Sequence, residues 1–434
     1  MTTLRKCLGV VLILAIGTTI ALAQDRDREG RESGLGWATF NGGGSGIATN
    51  GDQILLRHGS DYGFYLLYIN DNGTLYWNSD TNNICQTSWS PGSMIATNPS
   101  VWDIDGIGDI DGDGQDELIM RTSTTFEQGG KTKSQIKTLF YTDNGSGKLA
   151  TTQPVAFNLA TLWTVEGVGN FNTASVGATS TNANQILIRH GTDGGFYLLY
   201  LNDNGTLYWD AGNTNDPCWT SWSPGSMIAT NASSWVVDAV GDVNGDGQDE
   251  VIVRSTNTFE QGGKTKSNRK VLFFTDNGSG TLKTTQPAEF GQAVTWSIEG
   301  LGRFNPGVVG AASSEAEQML LRHNTDGGYY LLYFNDNGTL YWNGSDTNDV
   351  CWTSWSAGSV FATNAPTYSI QGIGDVNDDD LDDLVVRSSA TYEQGGKTKS
   401  KTRVLFFNDN GSGTLKSTQP TDFGFATFWT IEGL

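Results

Sequence analysis

The chain repeats itself three times, and this repetition constrains its fold more than any other feature. The segment QILLRHGSDYGFYLLYINDNGTLYW begins at Gln53, and close copies begin at Gln185 and Gln318, so successive copies lie 132 and 133 residues apart. Between these copies lies a second recurring unit, which begins at Trp102, Trp235 and Tyr368. Self-similarity at a fixed period is typical of architectures in which each unit packs against the next.

Both recurring units follow one pattern of strands and turns. An aromatic residue opens a short apolar segment that ends in Gly, and an apolar strand ending in Arg follows after a loop, as at Ile54–Arg57 and Leu118–Arg121. The next strand runs into an Asn-Gly turn, which is a strong hairpin signal. Each unit of roughly 60–70 residues therefore predicts one antiparallel sheet of four strands, the size of a propeller blade. Three pairs of units predict an all-β, six-bladed β-propeller with pseudo-threefold symmetry.

The two ends of the chain indicate how such a ring would close. Phe428–Leu434 reads as a blade-opening strand with no blade after it, whereas the first unit lacks an aromatic opening strand and begins with Gly34-Leu-Gly, which resembles Gly300-Leu-Gly. We predict that the C-terminal strand completes the first blade, because this pairs both open edges. The propeller would span 34–434, with repeat units of about 34–161, 162–294 and 295–434. A linear array of three separate domains is the alternative.

The N-terminal residues 1–23 have the features of a signal peptide. Leu4-Arg5-Lys6 supplies a positive segment, an apolar run follows at Leu8–Ile20, and Ala21-Leu-Ala23 matches a cleavage site. Residues 24–33 would be a short linker, and the mature protein is expected to be secreted or periplasmic. No later run has transmembrane length. The chain carries 26 Lys and Arg against 47 Asp and Glu, which argues against a nucleic-acid partner.

Three acidic loops align in the second recurring unit: Asp109–Glu117 (DIDGDGQDE), Asp242–Glu250 (DVNGDGQDE) and Asp375–Asp383 (DVNDDDLDD). Oxygen-bearing side chains occupy positions 1, 3, 5 and 9, and position 7 can offer its carbonyl group. Calcium takes six to eight such oxygens. About three calcium ions are predicted, one in each loop. The predicted ligands are Asp109, Asp111, Asp113, Gln115 and Glu117; Asp242, Asn244, Asp246, Gln248 and Glu250; and Asp375, Asn377, Asp379, Leu381 and Asp383.

Two other interpretations of these loops stay open. An acidic turn on a solvated surface would use the same residue types. A catalytic carboxylate pair is less favoured, because such a pair needs two different environments. An EF-hand is not indicated, since a strand follows position 9 at once. The third loop departs from the pattern, with Asp378 and Asp380 in place of glycines.

The full pattern, aromatic-x-Ile-x-x-Ile-Gly-Asp-x-Asp-Gly-Asp-Gly-x-Asp-Glu-Leu-Ile, resembles the FG-GAP/VCBS repeat family of integrin-α-type propellers. The resemblance covers nearly all of 34–434. It implies a propeller that binds calcium in loops between the first two strands of a blade. Members of the family serve in adhesion, in glycan binding, or as accessory domains of secreted polysaccharide-degrading enzymes, and the resemblance does not choose among these roles.

Two further sets of residues are candidates for ligand binding. The octapeptide EQGGKTKS is identical at Glu127–Ser134, Glu260–Ser267 and Glu393–Ser400, although the adjoining strands have diverged. This favours three equivalent binding loops, whereas recent triplication and a demanding Gly-Gly hairpin are the alternative. Exposed Trp faces suit sugar rings, but these Trp residues could equally pack between blades. The candidates are Glu127, Gln128, Lys131, Lys133, Glu260, Gln261, Lys264, Lys266, Glu393, Gln394, Lys397, Lys399, Trp89, Trp222 and Trp355.

The three histidines, His58, His190 and His323, are interpreted as structural residues. No nucleophile–base motif, P-loop or dinucleotide motif occurs in the sequence. The leading hypothesis is therefore a non-catalytic, multivalent binding protein with glycans as its preferred ligands, because repeated weak sites gain from avidity. An integrin-like protein-interaction propeller is the second hypothesis, and a calcium-dependent polysaccharide-degrading enzyme or its accessory domain is the third. The expected partner is a glycan or an extracellular protein, without nucleic acid and without membrane insertion.

Overall fold

A computed structural model describes most of the repeated region of the chain. The described residues are 37–38, 52–60, 62–67, 69–70, 73–74, 99–143, 149–152, 156–171, 183–192, 194–208, 232–276, 282–285, 289–304, 315–324, 327, 329–340, 367–377, 379–409, 415–418 and 423–432. The predicted signal peptide and linker, together with Trp89, Trp222 and Trp355, lie outside them. No helix within these ranges is long and apolar enough to cross a membrane.

The described residues form 25 strands and two short 3-10 turns. The strands are β1 (Trp37–Ala38), β2 (Gln53–His58), β3 (Phe64–Leu67), β4 (Trp102–Gly108), β5 (Glu117–Gln128), β6 (Lys131–Asp143), β7 (Leu149–Thr152), β8 (Phe157–Ala160), β9 (Trp163–Gly169), β10 (Gln185–His190), β11 (Phe196–Leu199), β12 (Trp235–Gly241), β13 (Glu250–Gln261), β14 (Lys264–Asp276), β15 (Leu282–Thr285), β16 (Phe290–Ala293), β17 (Trp296–Gly302), β18 (Gln318–His323), β19 (Tyr329–Leu332), β20 (Tyr368–Gly374), β21 (Asp383–Gln394), β22 (Lys397–Asp409), β23 (Leu415–Thr418), β24 (Phe423–Ala426) and β25 (Trp429–Ile431). The 3-10 turns are Pro99–Val101 and Ala232–Ser234.

These strands assemble into six sheets, numbered here in chain order. Sheet 1 contains β1, β2, β3 and β25; sheet 2 contains β4–β8; sheet 3 contains β9–β11; sheet 4 contains β12–β16; sheet 5 contains β17–β19; and sheet 6 contains β20–β24. Every pairing between named strands is antiparallel. The all-β prediction is confirmed, and the arrangement is that of a propeller.

The even-numbered sheets are four strands wide, although five strands build each of them. In sheet 2, β7 pairs with Phe140–Asp143 of β6, and β8 pairs with Lys133–Ile136 of the same strand. Both run antiparallel to β6, so together they act as one interrupted outer strand. Sheets 4 and 6 repeat this arrangement. Within the described residues, sheets 3 and 5 show three of the four predicted strands.

Sheet 1 has a first strand built from both ends of the described chain. β25 pairs with Leu56–His58, and β1 pairs with the preceding residues of β2, Ile54 and Gln53. The C-terminal strand therefore completes the first sheet, as predicted. The register also corrects one detail. Ala38 lies opposite Gln53, as Gly302 lies opposite Gln318, so Trp37-Ala38 and not Leu35-Gly36 corresponds to Leu301-Gly302.

The core consists of the apolar strands buried between neighbouring sheets. The second strands of the odd-numbered sheets share one burial pattern, with four buried residues followed by a partly buried Arg and His. Runs such as Ile54–Leu56 are buried on both faces because each sheet packs against two others. First strands contact each other from sheet 2 through to sheet 6, and β20 contacts β1. Sheet 1 contacts sheet 2 through Arg57, which donates to Trp102 O at 3.1 Å.

The Arg that ends an apolar strand joins neighbouring sheets at several positions. Arg121 Nη1 of sheet 2 donates to Trp163 O of sheet 3 at 3.1 Å. Arg387 Nη1 of sheet 6 donates to Trp429 O of sheet 1 at 3.0 Å. The recurring apolar-strand-Arg motif therefore has a structural role, in which the guanidinium group of one sheet holds the aromatic start of the next.

Candidate functional site

The acidic loops connect the first two strands of sheets 2, 4 and 6, and each folds around its position 1 carboxylate. Asp109 Oδ1 accepts hydrogen bonds from Gly112 N at 2.6 Å and Asp113 N at 3.0 Å, while Asp109 Oδ2 accepts from Gly114 N at 3.0 Å. Asp242 accepts the three corresponding bonds in the second loop. A buried carboxylate that accepts three N–H groups fixes the backbone around it.

The remaining predicted positions complete the same loop geometry in all three copies. The position 5 carboxylate accepts from the position 7 backbone N–H, as Asp113 does from Gln115 at 2.8 Å. The corresponding bonds join Gln248 to Asp246 at 2.8 Å and Leu381 to Asp379 at 3.1 Å. The position 9 carboxylates of Glu117, Glu250 and Asp383 each accept from the backbone N–H of position 2, at 2.9, 3.1 and 3.3 Å. A role for the position 7 carbonyl groups in metal binding stays a prediction.

The environment of the carboxylates in the first loop disfavours their charged form. Burial raises the pKa of Asp109 to about 7, with smaller contributions from the neighbouring charges of Asp111 and Asp113. Burial and the charge of Asp113 raise the pKa of Asp111 to about 6. Burial also raises the pKa of Glu117 well above its ordinary value. Gathering three partly or fully desolvated carboxylates is costly unless a proton or a cation compensates them.

The donor set of the first loop fits a hard cation. Ligand oxygens of Asp109, Asp111 and Glu117 all lie within 4.8 Å of one another. Carboxylate oxygens are the ligands that calcium prefers. Asp113 does not belong to this close group, although its charge also raises the pKa of Glu117. Asp109, Asp111 and Glu117 are therefore the residues that would hold the ion.

The second and third loops differ at position 3, where Asn replaces Asp111. Asn244 Nδ2 donates to Asp246 Oδ2 at 3.1 Å and to Glu250 Oε1 at 3.4 Å. Asn377 Nδ2 likewise donates to Asp379. An amide oxygen can also bind calcium, but the amide would have to turn its oxygen toward the ion. At positions 1, 3, 5 and 9 these loops thus offer three negative charges each, whereas the first loop offers four.

Asp380 in the third loop replaces a glycine that adopts left-handed backbone in the other copies. Gly114 and Gly247 have φ of 84° and 89°, and Asp380 has φ of 70°. Asp tolerates this region better than most residues because its short side chain can bond locally. Asp380 N donates to Asp375 Oδ2 at 2.9 Å, which is the same bond that Gly114 makes to Asp109. The sequence change therefore leaves this part of the loop intact.

Each acidic loop is also attached to the sheet that follows it. The backbone carbonyl of position 1 accepts an N–H from the residue just before the second strand of that sheet. These bonds are Asn184 N to Asp109 O at 2.7 Å, Glu317 N to Asp242 O at 2.9 Å and Asp52 N to Asp375 O at 2.8 Å. Asp52 Oδ2 additionally accepts from Asp375 N at 2.9 Å, which connects sheet 6 to sheet 1.

The sequence reasoning missed the position 8 residues, two of which attach their loops to the preceding sheet. Asp249 Oδ2 accepts from Asn170 N at 2.5 Å, and Asp249 N donates to Asn170 O at 2.9 Å. Asp382 makes the same pair of bonds to Arg303. Asp116, Asp249 and Asp382 are all buried, with at most 2% of their surface exposed. Their presence in all three loops was visible in the sequence, but their direction away from the loop centre was not.

The EQGGKTKS segments form the tips of the long hairpins in sheets 2, 4 and 6. Both turn glycines have positive φ, at 62° and 73° for Gly129 and Gly130. Thr132 Oγ1 donates to Glu127 Oε1 at 2.6 Å, and the other two copies repeat this bond at 2.5 Å. Lys133, Lys266 and Lys399 are at least nine-tenths buried. Turn geometry, a cross-strand bond and packing thus account for part of the identity of these segments.

The remaining predicted ligand residues at the tips lie at the surface. Glu127 and Gln128, and their counterparts Glu260, Gln261, Glu393 and Gln394, are exposed. Lys264 is exposed, whereas Lys131 and Lys397 are half-buried. Lys399 Nζ donates to Gln394 Oε1 at 3.2 Å. Ligand binding by these residues stays a prediction.

The three histidines lie in three different sheets. Each packs against the first Trp of its own sheet, with ring centroids 4.5 Å apart in the pairs His58–Trp429, His190–Trp163 and His323–Trp296. This agrees with a structural role.

Comparisons with known proteins add little to this geometry. No family model and no curated protein matches the chain. Among solved structures, a mutant of the levansucrase from B. megaterium aligns with 94% of this chain and 89% of its own length, at 13% identity and a TM-score of 0.28. A match at this TM-score carries no information on activity.

Proposed function

We propose that the protein is a secreted, calcium-stabilised, six-bladed β-propeller that serves as a non-catalytic binding module for glycans. The proposal of calcium binding rests on one observation, which is that carboxylate oxygens of Asp109, Asp111 and Glu117 lie within 4.8 Å of one another. The six-bladed ring is supported by six consecutive sheets whose contacts return from sheet 6 to sheet 1. Calcium would occupy the acidic loops, where each loop is already bonded to a neighbouring sheet.

Two partly buried acids outside the loops, Asp105 and Asp238, favour a binding role over a catalytic one, because both form ion pairs. Asp105 pairs with Arg121 at 2.5 Å, and Asp238 pairs with both Arg254 and Arg269 at 2.9 Å. Carboxylates engaged by guanidinium groups are poorly placed to move protons. A glycan is the preferred ligand because Ser and Thr residues, which carry hydroxyl groups, line a pocket between sheets 2 and 3. An integrin-like protein-interaction role is the second candidate, supported by the exposed hairpin tips.

The first experiment would measure binding of the mature protein to a broad glycan array, with calcium and after chelation. We expect binding in calcium that is lost on chelation. Far-UV circular dichroism in parallel separates loss of the ligand site from loss of the fold. A folded, calcium-loaded protein that binds no glycan would contradict the glycan role and favour a protein partner. Calcium that leaves the melting temperature unchanged would contradict the calcium role.

A further inference from the structure

A pocket of about 370 Å³ lies between sheets 2 and 3. Its walls include Asp105, Arg121 and Ser134 from sheet 2, and Thr164 from sheet 3. The volume falls within the range typical of small-molecule sites. The pocket lies apart from the acidic loop, since its walls come from strands and the start of the next sheet.

Two polar atoms in the pocket wall are buried and have no hydrogen-bond partner among the described residues. These atoms are Arg121 Nη2 and Ser134 Oγ. Ser134 is 2% exposed, so bulk water does not compensate its hydroxyl group. A buried polar group without a hydrogen-bond partner destabilises the structure, because the bond that it would make to water is lost. A ligand, or ordered water in its absence, would be stabilised at this position.

The equivalent position in sheet 4 has a different arrangement. Strand register places Arg269 where sheet 2 has Ile136. Arg269 and Arg254 both donate to Asp238 at 2.9 Å, one to each carboxylate oxygen. A second guanidinium group thus occupies this space, and it saturates the carboxylate.

The equivalent position in sheet 6 differs again, because Gln371 replaces the acid. Arg387 Nε donates to Ser400 Oγ at 2.5 Å, and Arg387 Nη2 donates to Ala426 O at 3.1 Å. The atoms that are unsatisfied in sheet 2 therefore have partners in sheet 6. Three positions related by the repeat carry three different chemistries, which points to a specific role for one of them.

The charge balance of the pocket selects the class of ligand. Arg121 Nε lies 2.5 Å from Asp105 Oδ2, so the two charges offset each other. An anion would face the Asp105 carboxylate, and a cation would face the Arg121 guanidinium group. A neutral hydroxyl group can accept from Arg121 and donate to an acceptor at the same time. Thr125, Thr161 and Thr164 add further hydroxyl groups to the wall.

We infer that this pocket binds one neutral sugar ring, with Arg121 Nη2 and Ser134 Oγ bonded to neighbouring hydroxyl groups of the sugar. The inference rests on the proposed glycan role and sharpens it, because it assigns one site of this kind to each chain and not three. Ile136 is a core residue at the position where sheet 4 has Arg269. Among the described residues, therefore, no second guanidinium group bonds to Asp105 as Arg269 bonds to Asp238.

The test uses the calcium-loaded mature chain and a panel of neutral methyl glycosides at millimolar concentration, followed by saturation-transfer NMR and titration of the best binder. Ser134→Ala removes one hydrogen bond and should weaken binding about 5- to 10-fold. Ile136→Arg copies the residue that sheet 4 already accommodates and should weaken binding at least 10-fold. Ser267→Ala is the matched control, since Ser267 Oγ is also unsatisfied among the described residues but lies beside Arg269. It should stay within about twofold of wild type.

The outcomes separate this site from the proposed function. Wild-type binding that neither Ser134→Ala nor Ile136→Arg alters, with both variants folded, would overturn the pocket and leave the glycan role standing. No binding of any glycoside by the folded wild type would overturn both. Inorganic phosphate that binds in place of the glycosides and is lost in Ser134→Ala would overturn the sugar assignment. If Ile136→Arg does not fold, Ser134→Ala decides the matter alone.

Discussion

The acidic loops and the hairpin tips differ in how strongly their sequences are preserved among the three copies. The hairpin tips are identical in sequence in all three copies, and yet they lie mostly at the surface. The acidic loops have diverged to DIDGDGQDE, DVNGDGQDE and DVNDDDLDD, and yet the backbone N–H groups of positions 5 and 6 donate to the position 1 carboxylate in all three. Identity among copies is therefore a poor guide to importance here. Bonds of buried charges to the backbone and to neighbouring sheets preserve geometry even while residues change.

The largest expected effect comes from an isosteric change at position 1 of a loop, compared with the same change at a tip. Asp109→Asn should lower the free energy of unfolding in calcium by about 3 kcal/mol, because three backbone N–H groups then face a neutral amide and a proposed calcium ligand loses its charge. Glu127→Gln should lower it by about 0.5 kcal/mol, since the hydrogen bond that Glu127 accepts from Thr132 is exposed to solvent. Denaturant unfolding monitored by fluorescence measures both.

Equal losses of unfolding free energy in Asp109→Asn and Glu127→Gln would contradict this comparison. A loss below about 1 kcal/mol for Asp109→Asn would mean that the loop carboxylate contributes no more than a surface group. Repeating the series after chelation shows how much of the difference belongs to the ion, because the calcium contribution disappears while the hydrogen-bond contribution remains.

A smaller effect on the stability of the protein is expected from substitution in the hairpin turn. Gly129 has φ of 62°, and a β-carbon there would meet no atom within 4 Å, so only the backbone conformation opposes substitution. Gly129→Ala should therefore destabilise the protein by about 1 kcal/mol. Gly129→Asn, the matched control, should cost less, because Asn tolerates left-handed backbone. Thermal unfolding of both variants checks this, and equal melting temperatures for Ala and wild type would contradict it.

The smallest expected effect concerns a buried acid outside the loops. Burial raises the pKa of Glu166, although a hydrogen bond from Thr164 and the charge of Arg189 oppose the shift. The folded state then holds more protons than the unfolded state above the ordinary pKa of 4.5. The contribution of Glu166 to the free energy of unfolding should fall as pH rises from 4.5 through its raised pKa.

Glu166→Gln should remove this dependence. The difference in free energy of unfolding between wild type and variant should decline as pH rises through that window and stay level above it. Denaturant unfolding in saturating calcium, repeated across the window, measures the difference. A difference that rises with pH would show that the Arg189 charge dominates over burial. The comparison of wild type with Glu166→Gln thus isolates an acid of a first strand from those of the acidic loops.

Much of the fold was predictable because it follows from periodicity. The Gln53, Gln185 and Gln318 segments, the Asn-Gly turns and the unmatched Trp429 strand are local signals, and they predict six antiparallel sheets and the pairing of β25 with β2. The interrupted outer strands of the even-numbered sheets were not predictable, because residues 149–160 carry no sharp signal of two separate pairings with β6.

The candidate site was predictable only in part. The spacing of Asp109, Asp111 and Glu117 indicated convergence, and the structure brings these three together. The direction in which Asp249 and Asp382 point depends on packing against the preceding sheet, which local sequence does not encode. The pocket at Arg121 was missed for the same reason, since the differences among Ile136, Arg269 and Thr402 acquire meaning only once strand register aligns them.

The shared first strand of sheet 1 has a consequence for biosynthesis. Thr430 donates to Arg57 O across 373 residues of sequence. At roughly 5–20 residues per second, a ribosome needs about 20–75 s to make that stretch. During this time the Leu56–His58 edge of β2 has no β25 to pair with, and an unpaired edge can pair with strands of other nascent chains. A chain that ends before Trp429 would keep that edge open for as long as the protein exists.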